Sequence, residues 1–201
     1  MRSLFAPWNE QKIVVTGATS GIGFVIVEAL LEQGANVFGV GRNLSRLDDL
    51  ANRYSEKLHL HQADLLDLKV TRDVLPRAKQ ELGSVTGLIC AAGAIEHQDF
   101  GKTDDDAWAR QLDLNLRAPT ILLEEALKLM EPHSSVVVLG STLAAHPIVT
   151  SAAYSAAKAG LEAVVKVAAI SGAEQGLRVN LLHPGVVDTP MIRSKRPDGN
   201  S

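Results

Sequence analysis

The chain of 201 residues has a single cysteine, Cys90, only two tyrosines and no long apolar run. One thiol cannot form a disulfide within the chain, and this favours a reducing compartment, so we expect the cytoplasm. No stretch approaches the roughly 20 apolar residues that a membrane-spanning helix needs. Twenty basic and 23 acidic residues give a formal net charge of -3. This near balance argues against nucleic acid as the main partner.

The composition is that of an ordinary folded domain, with 46% hydrophobic and 21% charged residues. This length suits one well-packed core, so a single domain over residues 1–201 is predicted. Strand and helix patterns alternate, which predicts an α/β fold: a doubly wound parallel sheet between two helical layers, with strand order 3-2-1-4-5-6. The predicted strands lie near 12–16, 36–41, 57–62, 85–90, 135–140 and 177–182, and the predicted helices near 21–33, 45–54, 67–82, 104–130 and 151–174.

A glycine-rich segment, Gly17 to Gly23, directly follows the first predicted strand and runs into an apolar helical stretch. Glycines let the backbone approach a pyrophosphate closely, and the free N–H groups at a helix start favour negative charge. The spacing of Gly17, Gly21 and Gly23 differs from the common dinucleotide fingerprint, and the same glycines would also suit a plain tight turn.

A second group of residues is suited to proton transfer. Tyr154 and Lys158 stand four residues apart on a predicted helix and therefore share a face. Ser141 lies thirteen residues before the tyrosine, just past an apolar strand. We expect the Lys158 ammonium to lower the pKa of the Tyr154 phenol towards working pH, as acid–base catalysis requires. The other tyrosine, Tyr54, has Leu58 four residues on and is interpreted as a surface or packing residue.

Together these motifs resemble the short-chain dehydrogenase/reductase family. The glycine segment, Asn115, Ser141, the Tyr154/Lys158 pair and residues 184–189 match its motifs in order, from about residue 12 to residue 191. The resemblance implies hydride transfer between a nicotinamide and a small-molecule carbonyl or alcohol. In that reading Tyr154 donates or accepts the proton, Ser141 hydrogen-bonds the same oxygen, Lys158 orients the cofactor ribose, and Asn115 holds a water in the relay.

The resemblance also implies a set of cofactor-binding residues. These are Gly17, Thr19, Ser20, Gly21, Ile22, Gly23, Arg42, Asp64, Leu65, Ala92, Gly93, Tyr154, Lys158, Pro184, Gly185, Val186 and Thr189. Asp64 and Leu65 match the adenine contact, although a helix cap before Asp67 explains Asp64 nearly as well.

Cofactor choice depends on the end of the second predicted strand. An NAD site usually has an acidic residue there, which binds the ribose 2′-hydroxyl. Here that position is Gly41, and Arg42 follows it. Because a guanidinium binds phosphate well, NADP(H) is favoured over NAD(H). The alternative is a solvated arginine at the start of the next helix.

Two departures from the family pattern leave a second function open. The fourth strand ends in Cys90-Ala91-Ala92-Gly93 where the family has Asn-Asn-Ala-Gly, so two side-chain amides are missing. After Thr189 the family continues with a lid, a helix and a last strand, whereas this sequence stops at Ser201. Either a minimal variant or a piece of a longer protein would explain this. The alternative function is a dinucleotide-binding regulatory or scaffold protein with little catalytic activity.

Three consecutive aspartates have a structural explanation. Asp104, Asp105 and Asp106 precede a predicted helix, so an N-terminal cap is favoured over a metal site, and no metal is expected.

The helix from Ser151 to Gly172 has more small apolar residues than one buried face requires. A second copy would cover the rest, which predicts a homodimer or homotetramer. A fully buried helix in a monomer is the alternative.

Overall fold

The computed structural model describes residues 7–193, and their six strands form one parallel sheet in the order β3-β2-β1-β4-β5-β6. The strands are β1 (Lys12–Thr16), β2 (Asn36–Gly41), β3 (Leu58–Gln62), β4 (Gly87–Cys90), β5 (Ser135–Leu139) and β6 (Arg178–Leu182). The predicted fold class and strand order are confirmed. The expectation of a missing lid, helix and last strand refers in part to residues 194–201. These lie outside the described residues.

Helices cover both faces of the sheet. They are α1 (Gly21–Glu32), α2 (Asp48–Arg53), α3 (Leu68–Leu82), α4 (Asp105–Leu112), α5 (Ala118–Leu129), α6 (Ala152–Ser171) and the short α7 (Pro190–Arg193). Alternate strand residues point to opposite faces. Accordingly Val15 joins a core cluster with Val27 of α1, whereas Val14 joins a separate cluster with Val74 of α3 and Leu161 of α6. No helix within residues 7–193 combines the length and apolarity needed to cross a bilayer.

The long helix predicted over 104–130 is interrupted by a π-helical turn, Asp113–Arg117, between α4 and α5. At this turn the side-chain amide of Asn115 donates to the carbonyl oxygen of Gln111 at 3.0 Å. A regular α-helix would pair that oxygen with the backbone N–H of Asn115. Such π-bulges are frequent at functional sites. The predicted cap is confirmed, because the Asp104 side chain accepts a hydrogen bond of 2.7 Å from the Ala107 N–H.

The loops that follow β1, β4, β5 and β6 meet at one edge of the sheet. The N–H of Ala92, after β4, donates to Thr16 Oγ1 at 3.3 Å. The N–H of Thr142, after β5, donates to the carbonyl oxygen of Pro184, after β6, at 3.2 Å. Parallel strands have their carboxyl ends at the same edge, so motifs distant in sequence converge there.

Candidate active site

Lys158 is buried beneath the candidate catalytic tyrosine, with 4% of its surface exposed. Its Nζ donates a hydrogen bond of 2.7 Å to the carbonyl oxygen of Leu139, the last residue of β5. The same Nζ lies 5.8 Å from the centroid of the Tyr154 ring, one helical turn earlier on α6. The lysine therefore ties the catalytic face of α6 to the end of the neighbouring strand.

Ser141 follows this strand end and caps the single turn Thr142–Ala144. Its Oγ accepts a hydrogen bond of 3.2 Å from the Leu143 N–H. The Ser141 side chain also neighbours the phenol of Tyr154, and its hydrogen-bonding effect favours a lower phenol pKa. Because the Leu143 N–H occupies a lone pair of Oγ, the hydroxyl hydrogen remains available for the phenol oxygen. Ser141 and Tyr154 are thus brought together as the sequence predicts.

The expected lowering of the Tyr154 pKa is wrong for this structure. Burial raises the pKa of Tyr154 above its ordinary value, and the hydrogen bond from Ser141 opposes this without overcoming it. The physical reason is desolvation, which penalises the charged phenolate. The ammonium of Lys158 is directed at the Leu139 carbonyl oxygen. Over the neutral range Tyr154 therefore carries its proton, the form needed to donate one.

Burial also changes the two ionisable neighbours beneath the tyrosine. It lowers the pKa of Lys158 to about 8. It raises the pKa of the Cys90 thiol to about 12, against the opposing effect of the Lys158 charge. At neutral pH Lys158 is therefore mostly cationic and Cys90 is a neutral thiol. The cysteine that replaces the first family asparagine places no negative charge beside the lysine.

Asn115 connects the π-helical turn to the loop after β4. It is fully buried, its Nδ2 donates to the carbonyl oxygen of Ala94 at 2.9 Å, and its Oδ1 accepts from the Ala94 N–H at 3.3 Å. A Cβ on Gly93 would lie 3.0 Å from Asn115 Oδ1 and 3.7 Å from Lys158 Nζ. Gly93, Asn115 and Lys158 therefore meet in one place, and a side chain at position 93 would crowd both groups.

The glycine segment forms a tight turn between β1 and α1. Gly17 has a φ of +69°, and a Cβ there would lie 2.8 Å from the Ala92 nitrogen, so only glycine fits. Helix α1 begins at Gly21, and its N-cap residue Ser20 makes no side-chain capping bond. The first N–H groups of α1 are thus left for an anion. Thr189 lies against the same turn, 3.2 Å from where a Cβ on Gly21 would be.

The side chain of Thr19 fills the space beside Gly41 at the end of β2. A Cβ on Gly41 would lie 2.5 Å from Thr19 Cγ2 and 2.8 Å from Oγ1. No larger residue fits here without moving Thr19. The next residue, Arg42, is exposed. Within residues 7–193 no ion pair engages its guanidinium, and its carbonyl oxygen accepts from Gln62 Nε2 at 2.9 Å.

The remaining predicted residues are placed as follows. Asp64 does not cap α3; its Oδ1 accepts from the Leu66 N–H at 3.1 Å, and Asp67 is the cap. Leu65 is buried in the core, and its carbonyl oxygen accepts from Thr71 Oγ1 at 3.0 Å. Val186 is 80% exposed, and a Cβ added to Gly185 would meet nothing within 4 Å.

Comparison with protein families decides the relationship. The family described as short chain dehydrogenase matches residues 11–200. The chain belongs to the short-chain dehydrogenase family. Its membership makes the chain an oxidoreductase of a family that binds nicotinamide cofactors and acts on small molecules.

Two relatives of this short-chain dehydrogenase match most of this chain and about three quarters of their own length. It is 34% identical to cis-4-hydroxycyclohexanecarboxylate dehydrogenase of Sinomonas cyclohexanicum, over 91% of this chain and 76% of that protein. It is 31% identical to a short chain dehydrogenase of Penicillium rubens, over 92% of this chain and 72% of the relative.

Solved structures agree on the fold of this short-chain dehydrogenase. A short chain dehydrogenase from Burkholderia cenocepacia in complex with NADP superposes with a TM-score of 0.89 at 24% identity, covering 96% of this chain and 81% of the other. A 4-hydroxyisoleucine dehydrogenase complexed with NADH superposes with a TM-score of 0.85 at 28% identity, covering 92% and 77%. Similar folds hold either cofactor, so the fold alone does not determine cofactor preference.

Sequence reasoning missed Gln111, which contacts Asn115 in the candidate site. Gln111 is 2% exposed, and its Oε1 accepts from Asn115 Nδ2 at 3.3 Å, so it supports the asparagine from one helical turn away. The four-residue spacing between the two amides is the signal that points to this pairing.

Proposed function

We propose that this short-chain dehydrogenase is an NADP(H)-dependent oxidoreductase that interconverts a carbonyl and a secondary alcohol, with Tyr154 as proton donor and acceptor. The observation that carries the proposal is the convergence of Ser141 and Tyr154 on the buried Lys158, whose Nζ lies 5.8 Å from the centroid of the tyrosine ring. Acid, hydrogen-bond donor and cation stand together at the carboxyl ends of the strands, where ligands bind in this architecture.

The chain's own residues fit a dinucleotide. Gly17 and Gly21 have positive φ, and the first turn of α1 has no side-chain cap, so backbone N–H groups remain for phosphate. Ala92, Gly93 and the segment from Pro184 to Thr189 are proposed to line the same cofactor site.

NADP(H) is proposed over NAD(H) for a steric and an electrostatic reason. In its present rotamer Thr19 leaves no room for the acidic residue that an NAD site would carry at position 41. The exposed Arg42 guanidinium, without an ion-pair partner in residues 7–193, is suited to a 2′-phosphate. Thr19 Oγ1, Ser20 and Ile22 complete the proposed cradle, with Asp64 and Leu65 at the adenine end.

The proton chemistry follows from the geometry. When bound, the nicotinamide supplies a hydride in reduction and accepts one in oxidation. Tyr154, kept protonated by burial, donates its proton to the developing alkoxide, and the Ser141 hydroxyl stabilises the negative charge on that oxygen. Lys158 holds a positive charge beneath the phenol. Asn115 holds the loop after β4 in place through its bond to the Ala94 carbonyl oxygen.

Ligand titration and a carbonyl screen together test the proposal. NADPH should bind at least about tenfold more tightly than NADH at one salt concentration. Y154F should retain NADPH binding and lose turnover of a panel of aldehydes and ketones by about 10²-fold or more. Y54F supplies the matched control. Binding without turnover in the wild type over the whole panel would favour the regulatory or scaffold function instead.

We also propose that two or four copies assemble through α6. Val167 and Ile170, three residues apart on this helix, are 62% and 77% exposed, whereas Leu161 and Val165 face the core. Pairing would remove this apolar surface from water. A cytoplasmic location is proposed from the single cysteine.

A further inference from the structure

His183 directly follows β6 and packs its imidazole ring over the chain at the end of β5. A Cβ on Gly140 would lie 2.7 Å from His183 Nδ1 and 2.8 Å from its Cε1. Position 140 must therefore be glycine for the ring to lie there. The close approach brings the ring to the peptide that carries Ser141.

The ring contacts both backbone polar groups of Ser141. Nδ1 lies 3.1 Å from the Ser141 nitrogen, which donates its N–H, and 2.8 Å from the Ser141 carbonyl oxygen. Since one nitrogen cannot accept and donate at once, the position of the imidazole proton decides which contact is a hydrogen bond.

Glu162 biases this choice from the other side of the ring. Its Oε1 lies 3.4 Å from His183 Nε2. In the neutral ring a carboxylate favours a proton on the nitrogen that faces it, which leaves Nδ1 as an acceptor for the Ser141 N–H. Glu162 lies four residues after Lys158 and eight after Tyr154, so all three occupy one stripe of α6.

We infer that His183 and Glu162 are positioning residues, which hold the Ser141 peptide so that the serine hydroxyl faces Tyr154. The stripe of α6 then holds the end of β5 at three points. Tyr154 lies beside the Ser141 side chain, Lys158 bonds the Leu139 carbonyl oxygen, and Glu162 reaches the Ser141 backbone through His183. The catalytic consequence rests on the proposed function, whereas the hydrogen-bond geometry does not.

Two amide variants, each of which lacks the ring, separate the hydrogen bond at Nδ1 from the loss of the ring itself. Asparagine places a polar atom close to the position of Nδ1 and can still accept from Ser141, whereas glutamine places one close to Nε2 and cannot. H183N should preserve the Ser141 geometry and H183Q should lose it. His59 of β3, whose Nδ1 lies 3.4 Å from Glu81 Oε2, supplies the matched control H59Q.

The readout needs neither cofactor nor substrate, so failure of this inference is distinguishable from failure of the proposed function. With Tyr154 assigned by Y54F, its ¹³Cζ resonance at neutral pH reports the hydrogen bond from Ser141, and S141A defines complete loss. We expect H183Q to move the resonance most of the way to its S141A position, and H183N and H59Q to leave it near the wild-type position. Identical positions in H183N and H183Q, or no movement in H183Q, would overturn the inference.

A measurement on the wild-type protein keeps the test decisive even where H183Q does not fold. The ¹⁵N shifts of the His183 ring should show Nδ1 unprotonated and Nε2 protonated at neutral pH, and E162A should reduce the population of that tautomer. A proton on Nδ1 in the wild type would sink the inference. With a carbonyl substrate in hand, H183Q should lower kcat about tenfold while KM and NADPH affinity stay within about twofold.

Discussion

Lys158 and Leu139 are joined by a buried hydrogen bond of 2.7 Å between the lysine Nζ and the backbone carbonyl oxygen at the end of β5. The bond holds a cation in a place where burial disfavours charge, which is why the pKa of Lys158 falls to about 8. Folding therefore works against the protonation of Lys158.

This relationship predicts a pH-dependent stability. Between the folded pKa of about 8 and the unfolded value near 10.5, the unfolded chain binds more protons, so rising pH favours the folded state. The unfolding free energy of the wild type relative to K158M should grow by up to ~3 kcal/mol between pH 8 and pH 10.5. Denaturant titrations at several pH values measure it. The same difference measured against K166M, on the exposed face of α6, should not grow. A difference between the wild type and K158M that does not change with pH would contradict the lowered pKa of Lys158.

The contact between Thr19 and Gly41 predicts how cofactor preference can be reversed. G41D alone should weaken both NADPH and NADH by about tenfold or more, because the new side chain collides with Thr19. T19G combined with G41D should bind NADH at least as tightly as NADPH. Calorimetric titration of the three variants measures this. Tight NADH binding by G41D alone would show that Thr19 is no barrier.

Removal of Arg42 isolates the electrostatic part of the preference. R42A should weaken NADPH about tenfold and leave NADH nearly unchanged, since only NADPH carries a 2′-phosphate. R46A, exposed nearby, is the matched control and should change neither affinity by more than about twofold. Equal losses for both cofactors in R42A would exclude a specific phosphate contact.

Removal of the Asn115 side chain is predicted to lower the stability of the fold as well as its function. N115A leaves the Ala94 N–H and carbonyl oxygen without their buried partner. The loss of stability should be ~2–3 kcal/mol, measured by denaturant unfolding. Asn180, exposed on β6, gives the comparison N180A, which should stay within ~0.5 kcal/mol of the wild type. Similar values for the two variants would contradict the role of Asn115.

Assembly through α6 is predicted to depend on Val167 and Ile170. The double variant V167E/I170E should sediment as a monomer at concentrations where the wild type is dimeric or tetrameric, because two charges would have to be buried at the interface. V25E, which alters an equally exposed valine on α1, should assemble normally. A monomeric wild type would end the proposal.

Much of this protein was predictable from local patterns. The six predicted strands match β1 to β6 within two residues at their ends, because buried parallel strands are short apolar runs bounded by turn residues. The exception was the helix predicted over 104–130. Its π-helical turn arises where the Asn115 amide takes the Gln111 carbonyl oxygen, a local competition that hydrophobic periodicity does not reveal.

The sequence by itself determined the order of strands and helices, the glycine turn, and the pairing of Tyr154 with Lys158, since each depends on residues within one or two turns of chain. Only the tertiary structure decided that burial raises the pKa of Tyr154, that Thr19 closes the space beside Gly41, and that His183 reaches the Ser141 peptide. The last two join residues 22 and 42 positions apart, and the first depends on how much solvent the packed chain excludes. Such quantities follow from packing, which no short stretch of sequence encodes.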